Sequence, residues 1–220
     1  MIDKLRGRAR YTSAVVSPFT GMRRGEVLAL RWPNVDLDAK VSRVREALEE
    51  TKARGLRVKT PKTKAGRRDV SLPEIVVDAL REHRREQLEF RMALGIGKMP
   101  GDALVFSAPL KGGHQSPRAF SKEWARVAAS IGFPGLSFHA LRHTHASQLI
   151  DAGIDIVTIS KRLGHAKPDI TLRIYAHLFR KDDSKASDAI NDALKALGSC
   201  FGTRCQSGAK FMACSLGGVA

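Results

Sequence analysis

Acidic residues are heavily outnumbered in this chain. It carries 22 Asp and Glu against 38 Lys and Arg, a formal net charge of +16 and a pI near 10.3. Such an imbalance points to a polyanionic partner, DNA or RNA first and an anionic membrane surface second. No uninterrupted apolar stretch approaches the roughly 18–20 residues that a spanning helix needs, which counts against a membrane protein. The N-terminal MIDKLRGRARYTS has basic residues with no apolar run behind them, so it does not read as a secretory signal. The three cysteines, Cys200, Cys205 and Cys214, all fall near the C-terminus. An odd count confined to a tail is not a disulfide framework. A reduced, cytoplasmic protein is expected. Tyrosine occurs only at Tyr11 and Tyr175. Against these scarcities, hydrophobic residues make up 43% of the 220, enough for the core of one domain.

The spacing of apolar residues predicts a mainly helical α+β fold. Residues 12–31 read as a helix that Pro18 and Gly21 bend or divide. Over 36–72 the segments VSRVREAL, LRVKT and DVSL carry β-branched residues. They predict a small antiparallel sheet of three strands in the N-terminal third. From Pro73 the helical period returns through Ile75, Val76, Ala79, Leu80, His83, Gln87 and Leu88. Further helices are expected near 117–131, 139–152, 155–162, 169–178 and 184–197, with Gly132, Gly153 and Gly164 closing three segments. Residues 198–220, rich in Gly, Ser and Ala, are expected to form a flexible tail. There is no internal repeat.

Between Lys52 and Arg68 lie eight basic residues and no acid. On a hairpin they would make a phosphate-facing surface, with Lys59, Lys64, Arg67 and Arg68 as candidate DNA contacts. A solvated edge strand is the plain alternative. The mixed-sign run REHRREQLEFR at 81–91 reads as a solvated helix face.

Four separated clusters carry candidate chemistry: Thr20–Glu26, Pro61–Lys64, His139–His143, and Leu163–His165 followed ten positions later by Tyr175. Breaking a phosphodiester without a metal needs a nucleophile, cations on the non-bridging oxygens and a proton donor for the leaving 5′-oxygen. Arginine suits the oxygens because its planar fork makes paired bonds to phosphate and stays charged. Arg23 and Arg142 fit that role if the fold brings them together. Tyr175 is the stronger candidate nucleophile, because Tyr11 sits in a basic terminus. Each cluster also has a plainer reading. Arg23 and Arg24 could close a helix at the surface, and Tyr175 alone could be a core residue. His139 and His143, four apart with His145 and His165 near, have the spacing of a zinc pair. His145 falls on the apolar side of its helix and reads as a satisfied core histidine.

The segments TGMRRGEVLALRW, PKTKAGRRDVSLP, HALRHTHAS and LGHAKPDITLRIYAH resemble, in order, the signature boxes of the tyrosine recombinase, or phage integrase, family. The resemblance runs from about Ser17 to His177. It implies a helical catalytic domain over 1–197 that cuts and rejoins DNA through a 3′-phosphotyrosyl link, with no metal, cofactor or ATP. Arg23 and Arg142 would grip the scissile phosphate, and Glu26 would support the arginines. Lys62 would protonate the leaving oxygen, with Lys64 as the alternative. His139 would accept the tyrosine proton, His165 would hydrogen-bond the phosphate, and Tyr175 would attack. The implied partners are double-stranded DNA and further copies of the chain, as a tetramer, with a bacterial or phage-derived, nucleoid-associated setting. The family's separate N-terminal DNA-clamping domain has no counterpart in the roughly twenty residues before the first box. A DNA-binding remnant without strand exchange is therefore an alternative, as is a relaxase resembling type IB topoisomerases. The helix near 184–197 would pack on a neighbouring subunit or fold back on its own domain.

Overall fold

A computed structural model describes residues 1–8, 10–61, 63–108, 113–178, 187–188 and 190–195. The chain divides into two units, Met1–Phe179 and Arg180–Ala220. In the second, 187–188 and 190–195 are helical, within the helix expected over 184–197, and Ile190 and Leu194 are exposed. The expected tail at 198–220 lies outside the described residues.

After a 3-10 turn at Asp3–Leu5 that buries Leu5, the first unit continues with α1 (Tyr11–Thr20), which buries Ala14, Val15 and Val16. Pro18 sits inside its last turns, and the helix ends at Gly21, whose φ of +66° is the left-handed cap that glycine adopts without strain. A short second helix, α2 (Arg24–Leu28), follows at once. The expected division of 12–31 is therefore found, at Gly21 rather than at the proline.

The β region differs from expectation. VSRVREAL is not one strand. It divides at Arg45–Glu46 into β2 (Val41–Val44) and β3 (Ala47–Thr51), which belong to different sheets. One sheet has the antiparallel order β1 (Val35–Asp36), β2, β5 (Arg68–Ser71). The other is a hairpin of β3 with β4 (Gly55–Lys59), in the register Glu49 opposite Arg57. Continuous β-propensity hides such a break, because nothing in it marks where the hydrogen-bonding partner changes.

The remaining helices are α3 (Glu74–Ala93), α4 (Pro117–Ser130), α5 (Phe138–Asp151), α6 (Ile156–Leu163) and α7 (Pro168–Tyr175), the last continued by one 3-10 turn. Ser116, Ser137 and Asp155 cap α4, α5 and α6 by accepting a backbone N–H from the third residue on. Gly132, Gly153 and Gly164 have positive φ just past the ends of these helices, where they were expected. On α3 the buried stripe is Val76, Val77, Ala79 and Leu80, while Ile75 and Leu88 lie outside it. The main core joins α1, α2, the sheets and α3 to α4, with Phe138 edge-on to Phe120 at 4.8 Å and to Trp124 at 5.4 Å. A smaller cluster of Ala146, Ile150, Ile159, Leu163 and Tyr175 ties α5, α6 and α7 together. Among the described residues no helix is long and apolar enough to cross a membrane.

α2 lies directly on β3, and Gly25 is what permits it. A Cβ at Gly25 would stand 2.4 Å from the Leu48 carbonyl oxygen. Gly25→Ala should therefore destabilise the fold by roughly 1–3 kcal/mol, the usual penalty of overpacking. Gly101→Ala, with open space around its Cβ, should stay within about 0.5 kcal/mol of the parent. Denaturant midpoints of the two variants check this; equal losses would contradict it.

Candidate active site

The site is organised by the C-terminal end of α6. The last carbonyls of a helix have no partner within it, and the helix dipole makes that end negative. Gly164, at φ +69°, turns the chain away and leaves three successive carbonyls open. Each receives an arginine from a different part of the chain. Arg68 Nε donates to the Arg162 carbonyl at 2.7 Å, Arg142 Nη2 to Leu163 at 2.7 Å, and Arg23 Nη2 to Gly164 at 3.1 Å. The expected convergence of Arg23 and Arg142 is present, with Arg68 as a third member.

The C-terminal end of α1 is held in the same way. Arg142 Nη1 donates to the Gly21 carbonyl, and Arg162 Nη2 to Phe19 at 3.1 Å. His145 Nδ1 bonds the Pro18 carbonyl at 2.9 Å, while its Nε2 accepts from Arg162 Nε at 3.0 Å. An arginine can only donate, so His145 is neutral with its proton on Nδ1. It is the satisfied core histidine that the sequence suggested, and burial, then Arg162, pushes its pKa down to about 4.

Glu26 supplies the counter-charge. Its carboxylate bonds Arg68 at 2.8 and 3.1 Å and Arg23 Nη1 at 2.9 Å, and it caps α2 by accepting the Arg23 backbone N–H at 2.8 Å. Burial favours its protonated form, but Arg68 and Arg23 hold the carboxyl below its ordinary value. One carboxylate thus faces Arg23 and Arg68 directly, with Arg142 alongside. Arg142 is only 3% exposed, and burial, then Arg23, lowers its guanidinium to about 9, which leaves it charged at neutral pH. His165 accepts from Arg142 at 3.0 Å through Nε2 and turns Nδ1 to the Thr171 hydroxyl at 2.8 Å. Burial, then Arg142 and Arg23, pushes its pKa down to about 4. The pocket holds more positive charge than it neutralises, which favours an anion.

Tyr175 ends α7 and is 4% exposed. Its hydroxyl lies 2.8 Å from His143 Nδ1. Burial raises the phenol above its ordinary pKa, and Arg142 offsets part of that. His143 follows Arg142 directly on α5, so the arginine faces the α6 carbonyls and the histidine faces the phenol. His139, one turn earlier, stands edge-on to His143 at 4.7 Å between ring centres. His139 is exposed, and burial of part of its ring, then His143, holds its pKa down. It lines a cleft of about 530 Å³ with Arg23, Arg24, Ser121 and Ser137.

His143, His145 and His165 each bond a different group, and among the described residues no third His, Cys, Asp or Glu joins the His139–His143 pair to hold a metal. Of the basic segment, Arg67 is exposed, whereas Arg68 is buried on Glu26 and so is not a surface DNA contact. Lys59 and Arg57 both pair with Glu49 across the hairpin. The acid is missing from 52–68 only because the facing strand brings it. Lys62 lies outside the described residues, and the Lys64 backbone enters a single 3-10 turn, Lys64–Gly66. Two members of the pocket were given other roles by the sequence, Arg68 as a DNA contact and His143 as a metal ligand. Arg68 looked like one surface cation among eight, and His143 looked like half of a metal pair.

Residues 13–182 match the model of the phage integrase family. The chain belongs to that family. It is 32% identical over 200 residues to a XerC-like tyrosine recombinase of Caldanaerobacter subterraneus, covering 86% of this chain and 51% of the relative. It is 30% identical over 192 residues to the ICEBs1 integrase of Bacillus subtilis, covering 87% and 50%. This integrase-family chain thus spans about half the length of those curated relatives. Its fold is that of the Tn1549 transposon integrase solved with transposon right end DNA, with a TM-score of 0.69 at 20% identity over 88% of this chain and 62% of that one. The XerA recombinase shares it at a TM-score of 0.60 and 22% identity over 87% and 59%.

Two stability measurements test this integrase-family pocket. Glu26→Gln leaves Arg68 buried without its anion and should lose about 3–5 kcal/mol, whereas Glu26→Leu with Arg68→Met should lose less. Similar losses in both would show that the charge pair is not the issue. Between pH 6.5 and 4 the unfolded chain takes up protons on His145 and His165 that the folded chain refuses. Stability is therefore full above about pH 6.5 and falls as pH drops through that window. A urea midpoint that stays flat from pH 6.5 to 4 would contradict it.

Proposed function

We propose that this chain is a site-specific DNA recombinase or integrase that cleaves and rejoins strands through a 3′-phosphotyrosyl bond at Tyr175. The observation that carries the reading is the gathering of Arg23 and Arg142 on adjacent carbonyls of one helix end, with the Tyr175 phenol bonded to the residue after Arg142. The two guanidiniums neutralise the non-bridging oxygens of the scissile phosphate as the five-coordinate state forms. Because they supply the positive charge, the step needs no metal, and because the phosphotyrosyl bond keeps the energy of the broken linkage, it needs no ATP or other cofactor. An arriving phosphate offsets the repulsion that Arg142 and Arg23 exert on His165. His165 can then take a proton and donate a hydrogen bond to a phosphate oxygen. Lys62 protonates the leaving 5′-oxygen, with Lys64 as the alternative.

Double-stranded DNA is the partner. Arg67, Lys64 and Lys59 contact its backbone beside the site. The Glu49 pair of Lys59 is partly exposed, so exchanging it for a phosphate costs little. Strand exchange between two duplexes needs four active sites, hence a tetramer of the chain, acting at the nucleoid in the cytoplasm. Residues 1–197 form the catalytic domain.

The test uses a pool of duplexes with randomised sequence around a central 5′-bridging phosphorothiolate, whose thiolate leaves without a proton and traps the adduct. An SDS-resistant protein–DNA adduct should form equally with and without EDTA and disappear in Tyr175→Phe. Arg142→Ala should lose adduct formation by roughly 10²-fold or more, with a much smaller change in DNA binding, because its contact strengthens in the transition state. No adduct from the parent protein, or equal losses of binding and cleavage in Arg142→Ala, would overturn the reading.

A further inference from the structure

We propose that His143 is a catalytic residue, the group that takes the proton from the Tyr175 hydroxyl when the phenol attacks phosphorus. The inference rests on the reading of Tyr175 as the nucleophile and assigns the proton acceptor that this reading leaves to the geometry. The resemblance in sequence implied His139 for that role. In the fold, the phenol oxygen stands 2.8 Å from His143 Nδ1, the distance of a formed hydrogen bond, and the rings are tilted at 58° with centres 5.6 Å apart. His139 contacts His143 rather than the phenol, edge-on at 4.7 Å.

The chemistry requires such a partner. The phenol is nearly buried, and its environment favours the protonated form. Arg142 alongside stabilises the phenolate once formed, but a guanidinium only donates and cannot remove the proton. The ring nitrogen at 143 can. In the forward step the Tyr175 O–H bond breaks and its proton goes to His143 Nδ1. The phenolate oxygen bonds phosphorus, the P–O5′ bond breaks, and O5′ leaves with the electron pair and takes a proton from the general acid. In rejoining, the 5′-hydroxyl returns that proton to the general acid and attacks. The phenolate leaves and recovers its proton from His143. His139 lines the cleft with Arg23 and Arg24 and packs edge-on against His143, where it can steady that ring.

The experiment uses the phosphorothiolate duplex pool, on which the rate of adduct formation reports activation of the nucleophile and not protonation of the leaving group. His143→Asn places an amide where Nδ1 lies, which keeps a hydrogen-bond partner for the phenol but cannot take its proton. Each protein is prepared with ordinary tyrosine and with 3-fluorotyrosine, whose phenol is more acidic. Tyr11 is the other labelled position. His143→Asn should slow adduct formation by roughly 10²-fold while binding the duplex as the parent does. Fluorotyrosine should recover about tenfold or more of that loss and change the parent little, because an acidic phenol needs less help. His139→Asn should lose less and gain less from fluorotyrosine. Parent-like rates in His143→Asn, or a loss that fluorotyrosine leaves untouched, would overturn the role of His143 while the phosphotyrosyl reading stands. Absence of any adduct from the parent protein would overturn both.

Discussion

Three open carbonyls at the end of α6 hold this pocket together. Arg162, Leu163 and Gly164 present successive C=O groups that the helix cannot satisfy, and guanidiniums from β5, α5 and the start of α2 satisfy them. Charge-assisted bonds of this kind are stronger than neutral ones and fix a planar fork in direction as well as in place. The same device recurs at the end of α1, where Arg142, Arg162 and His145 take the carbonyls of Gly21, Phe19 and Pro18. Arg142 spans both helix ends. Moving either helix would disturb the positioning of the guanidinium.

The electrostatic state of the pocket follows from how few carboxylates enter it. Glu26 balances part of the charge of Arg23 and Arg68, and among the described residues Arg142 has no ion pair of its own. Burial, and then the arginines beside them, hold the buried His145 and the half-buried His165 to a pKa of about 4. A pocket with three guanidiniums around one carboxylate favours an anion that brings negative charge with it. The phenol lies at the inner edge of that field, where burial favours its protonated form and Arg142 offsets part of that.

Much of this was legible in the amino-acid order. The helices α4, α5 and α6, each capped by Ser or Asp, stand where they were expected, because helix propensity and capping are local properties. The glycines at 132, 153 and 164 were legible for the same reason. The two-sheet arrangement was not, because a partner switch at Arg45–Glu46 leaves no mark in propensity. Arg23, Arg142 and Tyr175 were recognisable through their boxes. Arg68 was misread because charge density along a segment says nothing about which cation turns inward. His143 was read as a possible metal ligand because i, i+4 spacing gives the face of a helix and not what that face meets.

Composition and local pattern alone thus settled a basic, mainly helical chain with arginine, histidine and tyrosine boxes in a fixed order, since those features depend on residues near one another in the sequence. Which arginine is buried, which histidine meets the phenol and which acid answers the basic hairpin were settled by folding. Each of those choices joins residues from separate elements, and in the same pocket the Arg162–Phe19 bond spans 143 positions. Hydrogen-bond geometry over such separations exists only once the helix ends have been brought together.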